Sequence, residues 1–156
     1  MRAVTDTLRA AAPKGPPSGV AGAGGSSPSP AIGALKILIV EDESVIAWAL
    51  QSLLEDLGHE VVEVAASGDA AIAAAAQHQP ELILMDINLG RGLDGIEAAE
   101  HIQAGGAVTV IFVSAYGDES TRARINDRVP GAPLLTKPVS ARAIQRAIED
   151  AVGTRH

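Results

Sequence analysis

Five short apolar runs, each rich in branched side chains, recur along the chain, and more polar stretches separate them. The runs lie near residues 35–40, 60–65, 81–86, 108–114 and 133–136. Runs of this length and composition predict buried strands. Helix-like stretches fill the intervals and follow the last run, so the pattern predicts an α/β domain of five strands and five helices. Such alternation is typical of a doubly wound parallel sheet with helices on both faces.

The first and last predicted helices each have one apolar face. In the first helix this face consists of Ile46, Leu50, Leu53, Leu54 and Leu57. Gly58 follows at a place where a glycine often ends a helix, and Trp48 lies on the opposite side, so we expect its ring to be partly exposed. Ser140 is the predicted N-cap of the last helix. The buried stripe of that helix would consist of Ile144, Ala147, Ile148 and Ala151.

The composition of the chain changes near residue 35. Residues 1–34 are rich in Ala, Gly, Pro and Ser, a composition that cannot bury enough apolar area to offset the entropy of ordering. We predict a disordered tail over 1–34, one folded domain over 35–152 and a short C-terminal tail over 153–156. Because no further domain is expected after the last helix, the surface of the folded domain should carry the output.

Charge and composition narrow the class of protein. The chain has 156 residues, is 47% hydrophobic and 2% aromatic, and carries a net charge of −7. An acidic chain lacks the basic surface that binds nucleic-acid phosphates, so we expect no nucleic-acid partner. The sequence has no cysteine and no apolar run as long as a membrane span, which favours a cytoplasmic protein without a membrane segment.

Three carboxylates stand at the ends of predicted strands. Glu41 and Asp42 come directly after the first run, and Asp86 ends the third. The carboxyl ends of parallel strands lie along one edge of a sheet, so these side chains should converge. Close carboxylates repel each other, and a hard cation that prefers oxygen ligands would relieve the repulsion. The pattern therefore predicts a site for Mg²⁺.

Two further polar residues end the fourth and fifth runs. Ser114 follows the fourth run and Lys137 the fifth, so a hydroxyl and an ammonium should join the acids at the same edge. This set suits a phosphoryl group, with Asp86 as the nucleophile, Lys137 as a positive charge and Ser114 as a hydrogen-bond donor. The predicted chemistry is phosphoryl transfer to Asp86.

Over residues 35–152 the chain resembles the receiver domain of response regulators, the phosphoacceptor half of two-component signalling. The resemblance rests on Val40-Glu41-Asp42-Glu43, Met85-Asp86-Ile87-Asn88, Asp94-Gly95, Ser114-Ala115 and Lys137-Pro138, in the order of that family. It implies a flavodoxin-like sheet with strand order 2-1-3-4-5. It also implies a cis peptide bond before Pro138, which proline tolerates.

The resemblance also assigns roles to the site residues. Asp86 would be phosphorylated, and Ser114 and Lys137 would contact the phosphoryl group. The implied Mg²⁺ ligands are Asp42 and Asp86 directly, Glu41 through water, and the backbone carbonyl of Asn88. The phosphoryl donor would be a histidine kinase or a histidine phosphotransfer protein, and a downstream protein partner would receive the signal. In this family the first helix often contacts the phosphotransfer partner, and an exposed Trp48 could take part.

The chain departs from the family pattern at two places. The span from Asp86 to Gly95 is one residue longer than usual. Leu134 stands where many members have the aromatic residue that moves inward on phosphorylation. Tyr116 could substitute for that residue or could lie at the mouth of the site and modulate water access, and we favour the second interpretation.

Three other functions fit parts of the same pattern. A receiver-like module could exchange partners without phosphorylation, or the chain could be a phosphate sink within a relay. A phosphohydrolase with an aspartyl-phosphate intermediate would need another acid near Asp86, where Asn88 stands instead. We therefore expect a phosphoacceptor signalling protein and not an enzyme in the ordinary sense.

Overall fold

The computed structural model describes residues 33–153. In chain order its elements are β1 (Lys36–Val40), α1 (Ser44–Asp56), β2 (Glu60–Ala65), α2 (Gly68–His78), β3 (Leu82–Asp86), α3 (Gly95–Ala104), β4 (Thr109–Ser114), α4 (Glu119–Arg128), β5 (Leu134–Thr136) and α5 (Ala141–Gly153). The predicted tail over 1–34 lies outside the described residues except for positions 33 and 34. The predicted tail over 153–156 does so except for Gly153, which belongs to α5.

The strands form one parallel sheet. Its order is β2-β1-β3-β4-β5, and every pair of neighbours is parallel. The α/β prediction and the 2-1-3-4-5 order that the resemblance implied are both confirmed. From β1 the chain moves to one side to form β2 and then to the other side to form β3. In sheets of this type such a reversal opens a crevice at the carboxyl ends of the two central strands.

Two apolar layers cover the faces of the sheet. Alternate residues of the central strands point to opposite faces, as the pleat requires, so Leu38 belongs to one layer and Ile39 to the other. The first layer receives side chains of α2, α3 and α4, including Ile96. The second receives Leu54 from α1 and Ile144 from α5. The core is thus made mainly of aliphatic side chains, with one large aromatic residue, Phe112, completely buried.

The predicted ends of the outer helices agree with the structure, and so do their inner faces except that Ala151 on α5 is only partly buried. Gly58 follows α1 with a φ of 95°, and the Ser140 Oγ accepts a hydrogen bond of 3.1 Å from the Ala143 N–H at the start of α5. Trp48 is 69% exposed on the side of α1 that faces away from the sheet. None of the described helices combines the length and apolar character that crossing a membrane would require.

His59, just before β2, is hydrogen-bonded to the residue that precedes β1. This contact should make the stability of the domain depend on pH. His59 Nδ1 accepts a hydrogen bond of 3.1 Å from the Leu35 N–H, and burial lowers the pKa of His59 from its ordinary value of 6.5. Only the neutral ring can accept this hydrogen bond. The neutral His59 ring should contribute its full share to the free energy of unfolding above the unfolded-state pKa. That contribution should be lost as the pH falls through the lower folded-state pKa.

A variant without this titration tests the effect. Asparagine can supply an acceptor but does not ionise, so we expect urea midpoints of His59→Asn to change less between pH 7.5 and pH 5 than those of the wild type. His101→Asn, at an exposed position on α3, should retain the full pH dependence. Equal pH dependence in His59→Asn and the wild type would show that the histidine contributes nothing to it.

Candidate functional site

Three carboxylates meet at the crevice between β1 and β3. Glu41 and Asp42 directly follow β1, and Asp86 is the last residue of β3. Carboxylate oxygens of the three side chains all lie within 4.8 Å of one another. Glu41 and Asp86 are almost completely buried, whereas Asp42 is exposed. The acids that the strand-end pattern singled out therefore form one pocket, closed at its floor and open at Asp42.

Lys137 enters the same pocket from the end of β5. Its backbone N–H donates a hydrogen bond of 2.8 Å to the Ser114 carbonyl, which extends the parallel pairing beyond β5. The following peptide bond to Pro138 is cis. The Lys137 Nζ lies 3.0 Å from Glu41 Oε1 and 3.3 Å from Asp86 Oδ2. The ammonium therefore bridges the two buried carboxylates.

Ser114 ends β4, the strand next to β3. The residue is buried, and its Oγ accepts a hydrogen bond of 3.1 Å from the Tyr116 N–H. A serine hydroxyl that accepts one hydrogen bond still has its own proton to donate. Ser114 thus lies at the end of β4, next to the Asp86 end of β3, with a hydroxyl proton that is free to be donated.

The buried groups perturb one another. Burial raises the pKa of Glu41 above its ordinary value of 4.5, and the charge of Asp86 raises it further, while the nearby Lys137 ammonium and a hydrogen bond from the Glu43 N–H act in the opposite direction. Burial alone would lower the pKa of Lys137. The hydrogen bonds and charges of Glu41 and Asp86 outweigh burial and hold that pKa above 10.5, so the lysine is charged at neutral pH.

The donor set fits a divalent cation. Glu41 Oε1 is buried and accepts no well-directed hydrogen bond, although the Lys137 ammonium lies 3.0 Å away. Three carboxylates against one ammonium also leave an excess of negative charge in the pocket. Mg²⁺ prefers oxygen ligands of this kind and would offset the excess. Asn88 lies at the same edge, where its N–H donates a hydrogen bond of 3.2 Å to Asp86 Oδ1.

Gly95 holds the start of α3 against the backbone of Asp86 and Ile87. Its N–H donates a hydrogen bond of 2.8 Å to the Ile87 carbonyl. A Cβ added at Gly95 would collide with the Asp86 carbonyl oxygen and approach the Ile87 Cα to 2.8 Å. The sequence identified this glycine only as part of a motif, because the close approach involves residues that the loop brings together.

Asp94 completes this junction. It caps α3, accepting a hydrogen bond from the Glu97 N–H at 2.9 Å, and the Glu97 side chain accepts one from the Asp94 N–H at 3.0 Å. Its second carboxylate oxygen lies 2.8 Å from the Arg124 guanidinium on α4. Asp94 therefore links the loop beside the pocket to both α3 and α4. The sequence pattern Asp-x-x-Glu signals the cap, but nothing in it signals the ion pair.

The structure locates Leu134, which stands in place of the family's usual aromatic residue, and Tyr116, the candidate substitute. Leu134 is partly buried and packs against the apolar layer on the α2–α4 side of the sheet. Tyr116 is 68% exposed, and its backbone N–H donates a hydrogen bond to Ser114 Oγ. The residue thus lies outside the core and close to the Ser114 end of β4; the role of its ring stays a prediction.

A groove lies beside the pocket, between α1 and the chain that follows β5. It has a volume of about 450 Å³, and its lining is Val45, Ile46, Ala49, Leu50, Leu53, Val113, Lys137, Pro138 and Val139. Val45 is 78% exposed at the groove, and Trp48 follows it on α1. An apolar surface of this kind adjoins the mouth of the acid pocket.

The described histidines lie outside the pocket. His59 contacts the Leu35 backbone, and the His78 Nε2 lies 2.7 Å from Glu63 Oε1. Within residues 33–153, the one group of acids and histidines close enough to share a metal is Glu41, Asp42 and Asp86. His156 lies outside the described residues.

Comparisons with known proteins place this geometry in a family. The family model described as "Response regulator receiver domain" matches residues 37–149. The phyllosphere-induced regulator PhyR of Methylorubrum extorquens is 37% identical over 120 residues, which are 76% of this chain and 44% of PhyR. The transcriptional regulatory protein PdtaR of Mycobacterium tuberculosis is 34% identical over 117 residues, which are 75% of this chain and 56% of PdtaR.

A solved structure agrees in fold as well as in sequence. The PhyR receiver domain of Erythrobacter litoralis superposes with a TM-score of 0.68 and is 36% identical, and the match covers 78% of this chain and 92% of that domain. The chain spans about half the length of the two curated relatives named above. The family match over most of the folded residues, together with these similarities, shows that the chain belongs to the family of response regulator receiver domains.

Proposed function

We propose that this receiver domain accepts a phosphoryl group on Asp86 and signals by changed contacts with other proteins. The observation that carries the proposal is the position of the Lys137 ammonium, 3.3 Å from Asp86 Oδ2 and 3.0 Å from Glu41 Oε1. A carboxylate at the floor of an open pocket can attack an incoming phosphorus atom, and a fixed cation beside it can meet the charge that develops on the phosphoryl oxygens.

The proposed reaction is a direct transfer from a phosphohistidine. An Asp86 oxygen forms a bond to phosphorus while the bond between phosphorus and the histidine nitrogen breaks, and the imidazole leaves with a proton from solvent. Lys137 then pairs with a phosphoryl oxygen in place of part of its contact with Asp86. The Ser114 hydroxyl donates to a second phosphoryl oxygen, which would hold the new group at the end of β4.

Mg²⁺ would be held by Asp42 and Asp86, by Glu41 through water and by the backbone carbonyl of Asn88. When bound, it would neutralise phosphoryl oxygens during the transfer. This assignment is supported by the oxygen donors of the three acids and by the buried Glu41 Oε1 that lacks a well-directed hydrogen bond.

The phosphoryl donor would be a histidine kinase or a histidine phosphotransfer protein that docks on α1. Trp48 and Val45 are exposed there, beside an apolar groove that reaches Lys137, and exposed aromatic side chains often anchor interfaces. The phosphorylated domain would then bind a downstream protein partner through α4, β5 and α5.

Incubation with Mg²⁺ and acetyl phosphate tests the proposal. Intact mass should rise by one phosphoryl group in the wild type and in Asp150→Asn, an exposed control on α5, but not in Asp86→Asn or after chelation of Mg²⁺. With a phosphorylated histidine kinase as donor, Trp48→Ala should slow transfer about tenfold and leave the acetyl phosphate reaction unchanged. Failure of the wild type to gain a phosphoryl group would instead favour an interaction module that works without phosphate.

A further inference from the structure

The loop between β3 and α3 carries Arg91 along the open side of the acid pocket. The residues on either side, Gly90 and Gly92, have φ angles of 79° and 76°. A Cβ added at Gly90 would lie 3.6 Å from Asp42 Oδ2, and one added at Gly92 would lie 3.8 Å from Asp69 Oδ2. The backbone of Arg91 is therefore held between Asp42, a wall of the pocket, and Asp69, in the first turn of α2.

Arg91 is exposed. Its side chain forms no hydrogen bond or ion pair within residues 33–153, whereas three arginines on α4 each have a partner. Arg122 donates to the Gly117 carbonyl, Arg124 pairs with Asp94, and Arg128 pairs with Glu100. The guanidinium of Arg91 is thus unpaired, on a loop whose preceding residue, Gly90, lies beside Asp42.

The pocket presents an electrostatic obstacle to a phosphodonor. Glu41, Asp42 and Asp86 oppose one cation, Lys137, whose side chain is only 18% exposed. Its ammonium already contacts the two buried carboxylates, so its charge is offset before a donor arrives. Without Mg²⁺ an approaching phosphate dianion is repelled by Asp42, and bound Mg²⁺ would leave the pocket near neutral, so in either case a positive charge at the mouth would favour the approach of the donor.

We propose that Arg91 is a positioning residue. Its positive charge, at the mouth of the pocket, attracts the anionic phosphodonor toward Asp86. The inference rests on the proposed function, because it concerns the donor of the same phosphoryl group. The residue acts on the donor by its charge, and it also opposes the entry of a divalent cation into the same pocket. Its removal should consequently weaken the donor interaction and strengthen Mg²⁺ binding.

The charges set the size of the expected effects. For a guanidinium and a dianion taken to be about 8 Å apart in water, Coulomb's law gives an attraction that changes an encounter rate about threefold to fivefold at low ionic strength. The effect should shrink as salt is added, because the screening length falls below the separation at high salt. Mg²⁺ carries the same magnitude of charge, so its affinity should rise by a similar factor when Arg91 is removed.

Two measurements on the whole chain test the proposal. The first is the rate of Asp86 phosphorylation by acetyl phosphate, below saturation and with saturating Mg²⁺, followed by intact mass. The second is the dissociation constant of Mg²⁺, measured by calorimetry without donor.

Arg91→Ala should lower the phosphorylation rate about threefold at low salt, with less effect at high salt, and should tighten Mg²⁺ binding about threefold. Arg91→Lys should restore both values. Arg142→Ala, an exposed arginine on α5, should match the wild type.

The outcomes separate this proposal from the proposed function. A wild type that gains no phosphoryl group would overturn both. Normal phosphorylation of the wild type with an unchanged rate in Arg91→Ala would overturn the role of Arg91 alone. A fall in both the rate and Mg²⁺ affinity would also overturn it, because loss of loop structure, unlike loss of charge, moves both quantities in the same direction.

Discussion

Replacing Gly95 by Ala should lower the free energy of unfolding by about 3 kcal/mol. The new Cβ would collide with the Asp86 carbonyl oxygen and lie 2.8 Å from the Ile87 Cα. Both obstacles are backbone atoms at the end of β3, so neither can rotate away as a flexible side chain would. Relief requires α3 to move outward or the β3 end to shift. Urea denaturation of the unliganded domain would measure the loss.

Helix propensity alone would predict the opposite sign. Alanine inside a helix is favoured over glycine by about 1 kcal/mol at most, so a gain in stability would mean that the close approach at Gly95 is relieved without cost. Gly106→Ala is a matched control, because a Cβ there meets no atom within 4 Å. Its stability should stay within about 0.5 kcal/mol of the wild type. Since a shifted β3 end also moves Asp86, Gly95→Ala should slow phosphorylation by acetyl phosphate as well.

The strand pattern was sufficient to predict the layout of the pocket. The runs before Glu41 and Asp86 are short and apolar, and the topology of a parallel sheet brings their ends to one edge. The positions of Ser114 and Lys137 follow from the same rule. The order of the strands came from the resemblance, because the alternation of strands and helices fits several parallel orders.

Contacts between distant segments could not be read from the sequence. The hydrogen bond from the Leu35 N–H to His59 joins the start of β1 to the turn before β2, and a single histidine in a turn gives no sign of it. The Arg124 ion pair with Asp94 depends on how α4 lies against α3. The cost of a side chain at Gly95 depends on the path of a loop one residue longer than usual. Each of these is a tertiary effect that local patterns do not encode.

Helix α4 differs from the other helices in how it is held. It buries one residue, Ile125, whereas α3 buries four. The remaining attachment includes ion pairs of Arg124 with Asp94 and of Arg128 with Glu100, at 2.8 and 3.0 Å, and exposed ion pairs contribute about 1 kcal/mol or less each. Because Asp94 caps α3 beside Asp86, a change at the pocket could shift α4 at small energetic cost. This supports the proposed output surface.

Replacing Lys137 by Met should destabilise the domain by about 2–3 kcal/mol at neutral pH without Mg²⁺. The substitution keeps most of the side-chain volume but removes the ammonium that lies between Glu41 Oε1 and Asp86 Oδ2. Two buried carboxylates would then face each other without a cation. Removal of one partner of a buried ion pair costs more than the pair itself contributes, since the remaining charge stays desolvated. Urea denaturation at pH 7.5 would measure the loss.

Three further measurements test whether loss of the ammonium is what destabilises Lys137→Met. Glu41→Gln alone should stabilise the domain, because burial raises the pKa of Glu41 and the neutral amide avoids the cost of a buried charge. Glu41→Gln combined with Lys137→Met should recover most of the stability lost in Lys137→Met. Saturating Mg²⁺ should stabilise Lys137→Met more than the wild type, because a dication held by the acids replaces the missing charge. If Lys137→Met were as stable as the wild type without Mg²⁺, the ammonium would not be what balances the buried acids, and the electrostatic basis of the proposed transfer to Asp86 would be lost.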